Sequence, residues 1–258
     1  MKLSKVASLL SVAVLGVTLS ACGNTKSSKE NSSSKTMTSK VAAKKPQVLH
    51  DKFHVKKISS KTIYPKKGDW MKGPEGQRVT YLTSLQDIPN QTVHGMKLFN
   101  TQYAVIAMEN LSSDNEYNSM QPDAKTVFPN NGDFPKSLTG KTIILLHLES
   151  DFQNNTSKPL NYDGFSGYAG GNFDWTTDNG VQIDHSSLQV NDETNSLTVQ
   201  PHKTVQDKSM DAILCYGNDV QDAYKKINSK HLTIKTAGVS TEEESQLGGI
   251  RTLKLNIK

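Results

Sequence analysis

The sequence predicts an all-β body, a two-sheet β-sandwich with one short helix and long loops. Three observations lead there. Short apolar runs with a two-residue alternation follow one another through the C-terminal two thirds of the chain. Clusters of Gly, Pro, Asn, Asp and Ser separate them. A helical apolar period appears at Val220–Ile227 alone, where Val220, Tyr224 and Ile227 share one side and Asn218 or Asp219 can cap.

The elements follow in order from Thr92. VHGMKLF and YAVIAM are compact β-prone runs. Residues 111–140 form a polar connection, long for a compact domain. KTIILLHLES, residues 141–150, is apolar on both sides and reads as a central strand. One face carries Ile144, Leu146 and Leu148, the other Ile143, Leu145 and His147. Phe173–Thr176 and Val181–Ile183 flank Asp178, Asn179 and Gly180, a tight hairpin turn because Asn and Gly both tolerate positive φ. Ser196–Gln200 is a short strand. In Ser209–Tyr216, Met210, Ala212, Leu214 and Tyr216 alternate against Asp211, Ile213 and Cys215. Residues 231–236 alternate through Leu232 and Ile234. The closing run RTLKLNIK turns Leu253, Leu255 and Ile257 one way and Thr252, Lys254 and Asn256 the other.

Four segments are expected: a signal over 1–21, a Lys/Ser-rich tether over 22–50, an extension or wrapping segment over 51–91, and the sandwich over 92–258. The chain has 258 residues, of which 34% are hydrophobic, with a mean hydropathy of -0.55. That balance excludes a polytopic membrane protein, which needs several apolar runs of about 20 residues. The net charge of +5 is unevenly spread. Residues 22–61 hold ten lysines against Glu30 and Asp51, a balance of +8. Residues 62–258 hold 18 basic and 23 acidic residues, a balance of -5. The body therefore has no basic stripe for nucleic acid. The basic segment can lie against anionic headgroups or act as a spacer.

Lys2 and Lys5 precede an apolar run from Val6 to Leu19, the layout of a secretory signal. Leu19, Ser20, Ala21 and Cys22 follow. This stretch resembles the lipobox of bacterial lipoproteins. The resemblance implies cleavage before Cys22, a diacylglyceryl group on its thiol, and a body held at the outer face of the cytoplasmic membrane. Two acyl chains, at about 0.8 kcal/mol per buried methylene, make a firm anchor.

Three further stretches carry a second resemblance: TIILLHLESDFQNNTSKPLNYDG, the hairpin WTTDNGVQ, and LTVQPHKTVQDKSMDAILCY with its proline loop. They resemble a group of Ig-like domains of unknown function in Gram-positive lipoproteins, similar in turn to mycobacterial secreted immunogenic antigens with a telokin-like fold. The resemblance implies an Ig-like sandwich. It brings no catalytic residues, and Pro201, His202 and Lys203 stand where such families usually have Pro-Gly-Glu/Lys.

No nucleophile elbow, P-loop, zinc-protease helix or C-x-x-C is present. Cys215 reads as a core filler, with a nucleophilic pairing to His147 or His202 as the competing use. Asp184, His185, Asp192 and Glu193 could meet a metal across a loop, or form a solvated turn. The richest candidate surface is the loop 161–175. Tyr162, Phe165, Tyr168 and Trp175 can stack on a ligand there while Asp163 and Asp174 accept hydroxyls; otherwise the rings plug the core. The expectation is a non-catalytic binding or accessory protein of the cell envelope, with no cofactor and no metal. Its partners are the bilayer, through the acyl anchor, and an envelope protein, wall polymer or host molecule. The alternatives are an extracellular hydrolase acting on envelope polymer and a carrier of a small ligand or metal.

Overall fold

A computed structural model of the chain describes residues 56–57, 64–73, 76–113, 128, 135–165, 175–183, 189–243 and 245–258. The signal, Cys22 and the tether lie outside these residues, as does most of the connection 111–140.

The described body is almost all β, as the alternation predicts. Its frame is a set of three long antiparallel strands: β6 (Met96–Glu109), β7 (Thr142–Asn154) and β13 (Thr204–Gly217). Strand β7 lies in the middle and pairs with β6 on one edge and β13 on the other. Beyond β13 comes β11 (Gln189–Asp192). Beyond β6 come β3 (Arg78–Tyr81), β2 (Asp69–Lys72) and β1 (Lys56–Lys57), the last parallel to β2. Two short strands, β4 (Gln86–Asp87) and β5 (Gln91–Val93), also pair with β6, which makes nine strands. Strands β2 to β4, within the expected wrapping segment, and β5, across its boundary, are thus hydrogen-bonded into the frame.

Where the sequence predicts a second sheet, the described residues form two. One runs β10 (Gln182–Ile183), β9 (Trp175–Thr177), β14 (His231–Lys235), β17 (Thr252–Asn256). The other runs β12 (Leu197–Val199), β8 (Leu160–Tyr162), β15 (Val239–Thr241), β16 (Gln246–Gly248). The chain changes sheet between β14 and β15. A corner there is closed by Thr236 and Arg251: each backbone N–H donates to the other residue, Thr236 to the Arg251 carbonyl at 2.8 Å and Arg251 to the Thr236 hydroxyl at 3.0 Å. Gly238 passes so close to the carbonyl of Gly248 that a Cβ would stand 2.7 Å from it. Helix α1 (Val220–Lys226) is capped by Asp219, which accepts from the Asp222 N–H at 2.8 Å.

One face of the large sheet meets both smaller sheets and α1. Leu98, Val105, Ile144, Leu146, Leu148, Phe152, Met210, Ala212 and Leu214 join Tyr162, Trp175, Leu232, Ile234, Val239 and Leu255 in one core. The opposite face carries a smaller cluster with Met71, Val79, Tyr81, Ile106, Met108, Ile143, Leu145 and Ile213. Strand β7 is therefore buried on both faces, as its run of apolar residues predicts.

Strand β13 departs from the expected alternation. Its register shifts between Ile213 and Cys215, and the Leu214 carbonyl accepts from Phe128 N–H at 3.1 Å. The bulge turns Cys215 into the main core and Tyr216 toward the opposite cluster, the reverse of a strict two-residue period. Two more bulges sit on either side of Asp151. In β6 the register shifts between Phe99 and Gln102, and in β13 between Val205 and Lys208. Asn100 and Asp207 take φ of 52° and 53° there. The buried Asp151 carboxylate holds both, accepting from Asn100 Nδ2 at 2.7 Å and from the Asp207 N–H at 3.0 Å. Hydrogen bonds to a charged group contribute about 1.5–3 kcal/mol each. Asp151→Ala is expected to lower unfolding stability by about 2–4 kcal/mol in urea titrations; a loss below about 0.5 kcal/mol would show that the bulges hold without it.

Candidate functional site

The expected aromatic surface is a core. Tyr162, Phe165 and Trp175 are fully buried. Tyr162 stands 5.2 Å from Phe152 and 5.5 Å, edge-on, from Phe165. Trp175 pairs with Ile183 and Ile234 in its sheet. Burial lifts the Tyr162 phenol far above its usual range, and its hydroxyl meets Thr236. These three rings fill the space between sheets, so they cannot stack on a ligand arriving from solvent, and the binding-surface expectation is corrected for them. Asp163 is half-buried. Tyr168 and Asp174 lie outside the described residues.

Cys215 is buried in the main core, where its thiol reaches the Ala223 carbonyl at 3.3 Å and burial pushes its pKa up to about 12. His147 lies on the opposite face of the sheet, so the two cannot pair. His202 sits in the turn before β13, level with Asn154 rather than with Ile144. Ten residues of strand separate those levels, about 33 Å. Asp184 and His185 lie outside the described residues. Asp192 accepts from the Thr194 and Asn195 N–H groups within a turn, and Glu193 accepts from Ser209 of β13. Among the described residues no three His, Cys, Asp or Glu side chains converge on a metal position.

The chemistry-bearing group that the structure does assemble is on the second face of the large sheet. Down β7 this face reads Ile143, Leu145, His147, Glu149 and Asp151, apolar at one end and ionic at the other. Asp211 of β13 stands opposite His147, Ala104 of β6 flanks it, and Gln102 and Ser209 flank Glu149. His147 Nδ1 is 2.8 Å from Asp211 Oδ1, and Nε2 is 3.9 Å from Glu149 Oε2. All three side chains are buried. Burial by itself pulls an imidazolium toward its neutral form. The Asp211 charge and hydrogen bond, with the weaker pull of Glu149, overcome this and raise the pKa to about 10. Tyr81 lies beside the group, its phenol raised above its usual range by burial, with Glu149 and Asp69 adding to the rise.

Such a histidine is a cation at neutral pH: Nδ1 donates to Asp211, while Nε2 faces the Glu149 charge at 3.9 Å without a hydrogen bond. It is a poor proton acceptor there, because a general base serves best with a pKa near the working pH. Sequence reasoning placed His147 on this face with Ile143 and Leu145 but did not join it to Asp211. The signal was the alternation of Asp211 with Ile213 in one strand and of His147 with Leu145 in the other.

No protein-family model and no curated protein matches the chain. Among solved structures, a functionally unknown protein from Listeria monocytogenes EGD-e aligns over 70% of this chain and 88% of its own, with 13% identity and a TM-score of 0.34. A likeness of that degree carries no argument about function.

The raised pKa sets a pH dependence. An unfolded histidine titrates near 6.5 and folded His147 near 10. Its contribution to stability is complete below pH 6.5, declines as pH rises from there, and is gone above pH 10. Urea midpoints should fall across this range in the wild type and stay flatter in His147→Gln, which should itself be less stable by about 3–5 kcal/mol for leaving two buried carboxylates uncompensated. Matching pH profiles for the two proteins would contradict the assignment.

Proposed function

We propose that the chain is a lipid-anchored, non-catalytic protein of the outer face of the cytoplasmic membrane, with an Ig-like body doing binding or accessory work at the envelope. The observation that carries the reading is the placement of Cys22: a charged start, an apolar run from Val6 to Leu19, then Leu-Ser-Ala-Cys. The composition supports it. A segment with a balance of +8 stands between the cysteine and a body with a balance of -5, which suits a spacer beside anionic headgroups.

The layered core supports the sandwich part of the reading, since one face of the large sheet is covered by two smaller sheets. No helix among the described residues is long and apolar enough to cross a membrane. The non-catalytic reading draws support from His147, which its carboxylates hold as a cation, and from Cys215, held as a neutral thiol.

Metabolic labelling with a fatty acid, followed by mass spectrometry of the protein, tests the anchor. Wild-type chain is expected to carry label on an N-terminal Cys22 peptide and to sediment with membranes. Cys22→Ser is expected to lose the label and to accumulate as precursor or in the medium. Equal labelling of the two proteins would refute the proposal.

A further inference from the structure

The turn between β9 and β10 consists of Asp178, Asn179 and Gly180, all exposed. The Gly180 N–H donates to the Thr177 carbonyl at 2.9 Å, and Gly180 takes φ of 75°, which closes a three-residue hairpin. This turn docks on the linker between α1 and β14. The Asp178 N–H donates to Ser229 Oγ at 2.9 Å. Its carboxylate accepts from the Lys230 N–H at 3.2 Å and the His231 N–H at 2.9 Å, and stands 2.9 Å from His231 Nδ1. Asn179 Nδ2 donates to the Asn228 carbonyl at 3.1 Å. Strand β10 is the edge of its sheet and pairs with β9 alone, so the turn and its dock fix where β10 begins.

Among the described residues, Asn179 is the asparagine followed by glycine. Glycine has no Cβ to keep its nitrogen away from the preceding side chain. The Gly180 nitrogen attacks Asn179 Cγ. A bond forms between them, the bond to Nδ2 breaks, and Nδ2 leaves as ammonia with the Gly180 proton. Water opens the resulting five-membered imide at either carbonyl. The products are aspartate and its isomer, whose main chain runs through the side-chain carbon. In the closed turn both reacting groups are engaged, the Gly180 N–H with Thr177 and the Asn179 amide with Asn228. The reaction therefore proceeds from an opened turn. The way back is then barred, because a carboxylate at 179 only accepts and meets another acceptor in the Asn228 carbonyl. It also stands next to the Asp178 charge. The isomer adds a main-chain carbon to the loop that Thr177 and Val181 close with hydrogen bonds of 3.1 and 3.2 Å.

We propose that Asn179 is a deamidation site, and that its conversion irreversibly frees the β9–β10 turn from the linker between α1 and β14. This is independent of the envelope role and of the acyl anchor.

The full chain in detergent micelles is incubated at mildly alkaline pH, digested, and followed by mass spectrometry with chromatography that separates the two products. The Asn179 peptide is expected to gain the mass of an amide-to-acid exchange faster than the peptide holding Asn195, which is exposed and followed by serine. Ser229→Ala removes one hydrogen bond of the dock and should speed the reaction about fivefold. Asp178→Ala, at an exposed position, opens the same dock and replaces it if the buried serine is needed for folding. Asn179→Asp, one of the two products, should speed amide exchange at Val181–Ile183 by a similar factor. Reaction at Asn179 no faster than at Asn195, a rate unmoved by opening the dock, or unchanged exchange in Asn179→Asp would each overturn the proposal.

Discussion

Strand β7 is enclosed on both faces and both edges, and that enclosure constrains everything around it. Its backbone is satisfied by β6 and β13 over nearly its whole length. Every side chain from Thr142 to Phe152 is buried. A strand so enclosed offers no solvent to a polar group, so each polar residue on it must find its partner on a neighbouring strand. Ser150 does so through the Thr101 hydroxyl at 2.8 Å, Asp151 through the two bulges, and His147 through Asp211. The bulges in β6 and β13 follow from the same demand, since an ordinary ladder at that level would not aim Asn100 Nδ2 and the Asp207 N–H at one carboxylate.

The two faces meet this demand in different ways. The main-core face is apolar and aromatic, and its stability comes from area removed from water. The second face spends part of its area on ions. A buried ion pair returns little net stability once desolvation is counted, so His147, Glu149 and Asp211 are better understood through register. A slip of β13 by one residue along β7 would set Met210 or Ala212 against His147 and leave a buried cation unpaired. It would also move Asp211 toward the apolar core. The ionic group thus penalises the wrong alignment of a pair of long strands that apolar alternation alone would allow to slide.

Much of this was legible in the sequence, and the failures have physical causes. The double-faced apolar run at 143–148, the Asn179–Gly180 hairpin, the capped helix after Asn218 and the alternating final strand all rest on local period and turn chemistry, which act within a few residues. The phase error at Cys215 and Tyr216 came from a bulge at Leu214, whose carbonyl accepts from the N–H of Phe128, far away in sequence. The aromatic loop misled because rings beside glycines suit a ligand surface and a core equally well. What separates the two is Phe152, which fills the space next to Tyr162 and Phe165. The cross-strand pair of His147 and Asp211 is 64 residues apart and could be joined only once the register was known.

The outer edge of the large sheet beyond β6 unites the two halves of the molecule. There β1 enters, at Lys56 and Lys57, parallel to Asp69 and Trp70 of β2. The same β2 supplies the ring against which Arg78 of β3 lies. Parallel pairing of two residues is weak by itself, yet it joins the chain to the sheet at the end of the basic segment. A body anchored through Cys22 would receive its tether at this edge.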